Sequence, residues 1–165
     1  MLHEYNSIIK ENDDIYRALS KSFGLPDCTF WILYSLRESG QEMTQSDLCS
    51  ILYMPKQTIH SSLKKLEQDG CVLFLAGNNK KTRYIRLTPK GLDLCARTVD
   101  KVLLAEESAF SSMSDEEQQL FLSLFQKSTG LLKNQMEELM KTISDELSSQ
   151  TAVTNAANTV RKENK

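Results

Sequence analysis

The chain has 165 residues, 40% hydrophobic and 25% charged, with a formal net charge of −2. That supplies apolar side chain for one or two compact cores without covalent staples. No run of 18 or more apolar residues occurs, which excludes a transmembrane helix, and the opening MLHEYNSIIKENDD lacks the basic and apolar regions of a secretory signal. A cytoplasmic protein is the expectation. Cys28, Cys49, Cys71 and Cys95 lie far apart with no Cys-x-x-Cys pair, which argues against a disulfide framework or a zinc ribbon. As free cysteines they read as small buried hydrophobes.

Residues 2–22 carry Tyr5, Ile8, Ile9, Ile15, Tyr16 and Leu19 at three- and four-residue steps, and Phe23 follows. This spacing predicts an amphipathic helix, stopped by Gly24. Residues 27–38, DCTFWILYSLRE, predict a second helix, apolar on several sides, with Asp27 or Pro26 at its start and Gly40 after its end. Thr44-Gln45-Ser46-Asp47 has the pattern of a capping box and opens a third helix with Leu48, Ile51 and Leu52 inward. Tyr53-Met54 makes a turn, and Pro55 is expected at the first position of a fourth helix that ends at Gly70. Ile59, Leu63 and Leu66 face inward there, and Lys56, Gln57, His60, Ser61 and Lys64 lie opposite.

CVLFLAG and TRYIRLT then predict two paired strands, and Gly77-Asn78-Asn79-Lys80-Lys81 between them is turn chemistry with two cations. Thr88-Pro89 begins a fifth helix, about 89–111, with Leu92, Cys95, Ala96, Val99, Val102 and Leu103 on its apolar face. Ser114-Asp115-Glu116-Glu117 caps a sixth, about 115–148, in which Leu120, Leu124, Leu131, Leu139, Ile143 and Leu147 recur near heptad spacing. Residues 148–165 lose periodicity and predict a disordered tail.

Residues 44–91 therefore have the shape of a winged helix-turn-helix. The charge falls in the same place. Residues 55–90 hold eight cations against Glu67 and Asp69, a net +6, while the rest of the chain is net −8. A basic face on an acidic body is an electrostatic footprint for a polyanion. In a helix-turn-helix the second helix enters the major groove with its N-terminal residues at base edges. Those residues are Pro55, Lys56, Gln57, Thr58, His60 and Ser61, preceded by Thr44 and Gln45 at the start of the third helix. Glutamine can bond adenine in a bidentate way. Lys64, Lys80, Lys81 and Arg83 suit phosphates, which position a protein without specifying sequence. The partner expected is double-stranded DNA.

The same stretch resembles the MarR (multiple antibiotic resistance regulator) family of bacterial transcription regulators. The matching runs are Thr44-Gln45-Ser46-Asp47-Leu48, then PKQTIHSSLKKLEQDGCV, then Ile85-Arg86-Leu87-Thr88-Pro89-Lys90-Gly91, and the order of elements matches over about residues 2–147. The resemblance implies a mainly α fold with a small β-hairpin wing. It divides the chain into a winged helix-turn-helix DNA-binding domain at 26–88, a helical dimerisation region at 1–25 and 89–147, and the tail at 148–165. It also implies a homodimeric regulator, by expectation a repressor, on a pseudo-palindromic operator. One departure stands in the wing, where the family usually carries an Asp and an Arg two positions on; here those positions hold Asn79 and Lys81, a point charge without the planar guanidinium fork.

Many relatives respond to small aromatic or lipophilic effectors, and the matching region takes in Tyr16, Phe23, Phe30, Trp31, Tyr34 and Arg37. The same aromatics read equally as plain core. Relatives that sense oxidants do so through a cysteine in the first helix; here Cys28, at the start of the second, is the redox candidate, since a helix N-terminus can lower a thiol pKa. His3 and His60 have no ligand-like spacing, so no metal is expected, and no cofactor motif is present. No phosphate loop, nucleophile elbow or His-Glu motif appears, and the acidic pairs Asp13-Asp14, Glu106-Glu107 and Glu116-Glu117 read as solvated, so no enzyme is expected. A winged helix used only as a protein-interaction scaffold remains the alternative from another class.

Overall fold

The structure is a computed structural model that describes residues 1–77 and 82–163, with side chains through residue 147. It divides into two compact units, Met1–Ala109 and Phe110–Lys165.

The first unit holds α1 (Leu2–Ser22), α2 (Asp27–Ser39), β1 (Met43–Thr44), α3 (Gln45–Leu52), α4 (Lys56–Gln68), β2 (Val72–Ala76), β3 (Arg83–Leu87), α5 (Pro89–Arg97) and most of α6 (Val99–Phe110). α1 closes at Gly24, and α2 closes at Gly40, whose φ of 61° is the left-handed conformation glycine adopts without cost. α2 is central to the core: Phe30, Ile32 and Leu33 are fully buried, together with Leu48 of α3, Ile59 and Leu63 of α4, Ile85 of β3 and Cys95 of α5.

α3 begins on the expected capping box, in which Asp47 N–H donates to the Thr44 hydroxyl at 3.2 Å and Thr44 N–H donates to Asp47 Oδ2 at 2.8 Å. Tyr53 takes φ 51° in the turn that follows. Pro55 precedes α4 as its cap, with ψ 140°, and Lys56 is the first helical residue. The expected placement is thus one residue early. The extended ψ lets the chain turn out of α3 before the helix begins.

The wing is a three-stranded antiparallel sheet in the order β1-β3-β2. β2 pairs with β3 in the register Val72↔Leu87, Phe74↔Ile85 and Ala76↔Arg83, and Met43 of β1 pairs with Ile85 on the other edge. The two-residue β1 carries too little pattern to be read from sequence. The Arg86 guanidinium donates to Glu42 at 2.7 Å from Nε, beside this edge.

The expected helix over 89–111 is two helices. At Thr98 the backbone leaves helical geometry (φ −129°, ψ −84°), and its hydroxyl donates to the Leu94 carbonyl at 2.7 Å. A threonine hydroxyl bonded back one turn competes with the helical ladder and bends it. The break leaves Thr98 and Val99 both buried.

In the second unit, α7 (Asp115–Glu163) opens on the expected box: Ser114 N–H donates to Glu117 Oε2 at 2.8 Å and Glu117 N–H to Ser114 Oγ at 3.3 Å. Phe121 stands edge-on to Phe110, centroids 6.3 Å apart, and stacks on Phe125 at 5.7 Å. Leu120, Leu124, Leu131, Leu139, Ile143 and Leu147 are all exposed along the helix. The backbone stays helical to Glu163, through the span expected as a disordered tail. No glycine or proline follows Gly130, and Ala152, Ala156 and Ala157 favour helix. Loss of apolar periodicity removes a packing face without breaking the backbone ladder.

Candidate nucleic-acid interface

A groove of about 740 Å³ lies between α3, α4 and the wing. Thr44, Gln45, Lys56, His60, Lys64 and Arg83, six of the expected polyanion-facing residues, line it together. The local reasons are clear. The inward stripe Ile59, Leu63 and Leu66 fixes the rotation of α4, so Lys56, His60 and Lys64 point away from the core. The β2–β3 register sets Arg83 opposite Ala76 at the outer end of the ladder. Ser46, Cys49, Glu67, Phe74 and Thr82 also line the groove and were not singled out by the sequence. Glu67 had a signal, since it follows Lys56, His60 and Lys64 on the same helical stripe.

Gln57, Thr58 and Ser61 are exposed on α4 outside the groove lining. Ser61 Oγ donates to the Gln57 carbonyl at 2.9 Å, so its proton is committed to the helix. Pro55 is exposed at the start of α4. Lys80 and Lys81, with Asn79, lie outside the described residues.

Gln45 has a different occupation from the expected one. Its side-chain amide donates to the Lys56 carbonyl at 2.9 Å, across the turn between α3 and α4. It ties the first residue of one helix to the first residue of the other. Lys65 pairs with Asp69 at 3.3 Å, whereas Lys64 faces the groove.

The expected effector residues form a packed cluster. Trp31 stands 5.0 Å from Tyr16, 5.2 Å from Phe30 and 5.3 Å from Tyr34 between ring centroids. Phe23 is half-buried against the core. Tyr16 and Tyr34 both donate to the Glu106 carboxylate, at 2.5 Å to Oε1 and 2.6 Å to Oε2. Burial and this carboxylate push the Tyr16 phenol up to about 12 and the Tyr34 phenol higher still. Arg37 makes a bidentate pair with Asp100, Nε to Oδ1 at 2.7 Å and Nη2 to Oδ2 at 3.0 Å. Glu106, expected to be solvated, is thus half-buried and joins α1, α2 and α6. Its sequence signal lay in position, because it continues the Val99, Val102, Leu103 stripe at i+7.

Cys28 departs from the redox expectation. It is buried, with Sγ 3.9 Å from the Thr58 carbonyl, and burial raises its thiol pKa. Desolvation disfavours the thiolate more than the Ser62 hydroxyl beside it favours it. Among the described residues no helix is long and apolar enough to cross a membrane.

The sequence profile of the MarR family matches residues 23–74. The chain is 31% identical over 103 residues to the uncharacterized HTH-type transcriptional regulator YwoH of Bacillus subtilis (strain 168), covering 62% of this chain and 74% of that one. Its fold is similar to NMB1585, a MarR family regulator from Neisseria meningitidis, with a TM-score of 0.72 at 19% identity over 83% of this chain and 96% of that one. It is also similar to MepR of S. aureus in complex with DNA (TM-score 0.64, 19% identity, 78% and 93% covered). A MarR family regulator from Listeria monocytogenes complexed with a 26mer DNA gives a TM-score of 0.62 at 23% identity, with 79% and 87% covered. The conjunction of α3, turn, α4 and wing with these relatives places the chain in the MarR family, built on a winged helix-turn-helix.

Proposed function

We propose that this protein is a transcription regulator that binds double-stranded DNA as a homodimer in the cytoplasm and represses from a pseudo-palindromic operator. The observation that carries the reading is the groove in which Lys56, His60, Lys64 and Arg83 converge beside the exposed N-terminal turn of α4. Cations there neutralise phosphates, and Pro55, Gln57 and Thr58 meet base edges. Two similar folds carry DNA in their complexes. Its action is binding, not catalysis.

The exposed leucines and isoleucine of α7 favour pairing with a second copy. A two-fold dimer sets two recognition helices about one DNA turn apart, hence the inverted repeat. The Tyr16, Trp31 and Tyr34 cluster, between α1, α2 and α6, is the place where a small aromatic or lipophilic effector would act by relieving repression.

Selection of bound duplexes from a random pool tests the reading. An enriched inverted repeat, bound with an affinity that falls steeply with salt, is the expected result. No enrichment together with a flat salt response favours the protein-interaction scaffold instead.

A further inference from the structure

The groove is not uniformly cationic. α4 lines it with Lys56, His60, Lys64 and Glu67, at steps of four, four and three residues. Such steps set side chains in one row along a helix. The row therefore begins with a lysine, passes a histidine and a second lysine, and ends on a carboxylate. Glu67 is exposed, and among the described residues it makes no ion pair. At the rise of an α-helix it stands about 16 Å from Lys56 along the axis. It lies near the C-terminal end of α4, away from the turn that helix-turn-helix proteins present to base edges.

A neutral or basic side chain at this position would extend the phosphate-binding surface along the whole helix. A carboxylate does the reverse, because it repels a phosphodiester seated against the far end of α4. The repulsion is blind to base sequence. It falls on any duplex that lies too far along the groove, and it spares the seating in which bases meet Pro55 to Ser61.

We propose that Glu67 is a specificity-determining residue, which disfavours non-specific seatings of duplex DNA in the groove between α4 and the wing. This rests on the DNA-binding reading above. A partner can be discriminated by a built-in repulsive element as well as by added contacts.

Glu67→Gln keeps the size and removes the charge. Binding of the full-length variant and wild type is measured at several salt concentrations on two duplexes, one enriched from a random pool and one with that sequence shuffled. The shuffled duplex is expected to bind the variant about five-fold more tightly at low salt, the effect of one charge pair at about 4 Å in water. The enriched duplex gains less, so the specificity ratio falls. Thermal unfolding confirms that the exposed substitution leaves the fold intact. Equal gains on both duplexes, no gain on either, or a loss of affinity overturns the proposal. If wild type binds neither duplex, the DNA-binding reading fails and takes this inference with it. If wild type binds and Glu67→Gln matches it, this inference alone fails.

Discussion

The Gln45 side-chain amide donates to the Lys56 carbonyl at 2.9 Å, and so spans the turn that joins α3 to α4. A side chain that lines the groove thus also braces the turn from the surface. It bonds one of the first carbonyls of α4 from outside the helix and fixes how the two helices meet. Gln45→Ala removes this bond, which is worth about 1 kcal/mol as a typical intramolecular hydrogen bond. The expected outcome is a small loss of stability in urea titration and weaker binding on every duplex, with the base preference blurred. Unchanged stability together with a preference relaxed at particular base pairs would place Gln45 at the bases after all.

Lys64→Ala and Gln57→Ala separate positioning from reading. Lys64 faces the groove and Gln57 is exposed on α4 beyond it. Lys64→Ala is expected to weaken binding about equally on all sequences and to lower the salt slope by about one. Gln57→Ala is expected to relax preference at particular base pairs by about 1–3 kcal/mol. Competition binding against a panel of single-base variants reads both, and an unchanged preference in Gln57→Ala shows that another face of α4 meets the bases.

The Tyr16–Glu106–Tyr34 linkage makes stability depend on pH at the alkaline end. Its two phenols have pKa values raised above the ordinary 10, that of Tyr16 to about 12. A raised folded-state pKa means that the unfolded chain loses its protons first. The stabilisation is therefore complete below about pH 10 and is lost as pH rises through about 12. Urea midpoints of the wild type should be level from pH 8 to 9.5 and fall above pH 10 more steeply than those of a Tyr16→Phe/Tyr34→Phe variant. Parallel curves for the two proteins would remove the linkage from the account.

Gly91 sits in the first turns of α5 and is buried. A Cβ added there would overlap the Cys71 carbonyl oxygen and crowd Leu87 Cδ2 at 3.2 Å. The obstacle is backbone at the start of β2, where the Cys71 carbonyl also accepts from Thr88 N–H at 3.0 Å. Gly91→Ala is expected to cost about 1–3 kcal/mol, the range of overpacked cores, or more. The denaturation midpoint measures it, and a wild-type midpoint would mean that α5 shifts freely.

The thiols offer a final test. Burial raises the pKa of Cys28 and takes that of Cys95 to about 11. Thiolates are the reactive form, so both are expected to alkylate far more slowly in the native protein than in urea at pH 8. Mass spectrometry of trapped peptides reads each site. Rapid native labelling of Cys28 would restore it as a redox candidate.

Much of this architecture is written in local pattern. The capping boxes at Thr44 and Ser114, the αL stop at Gly40 and the inward stripe Ile59, Leu63, Leu66 each depend on residues within a turn or two of one another, so the sequence alone determined them. It determined the paired strands of the wing for the same reason, and it set Lys56 and Lys64 on the face of α4 opposite the apolar stripe. Tertiary structure decided the rest, because the deciding partners are distant in the chain. β1 exists only because Met43 finds Ile85. Glu106 is half-buried and bonded only because Tyr16 and Tyr34 arrive from ninety and seventy-two residues away. Cys28 is a desolvated thiol where its place at a helix start suggested a reactive one, and Gln45 is a strut because Lys56 folds back beside it. Periodicity reports which face of a helix is apolar; it carries no record of which polar group will be met across the interior, and there burial and hydrogen bonding set each role.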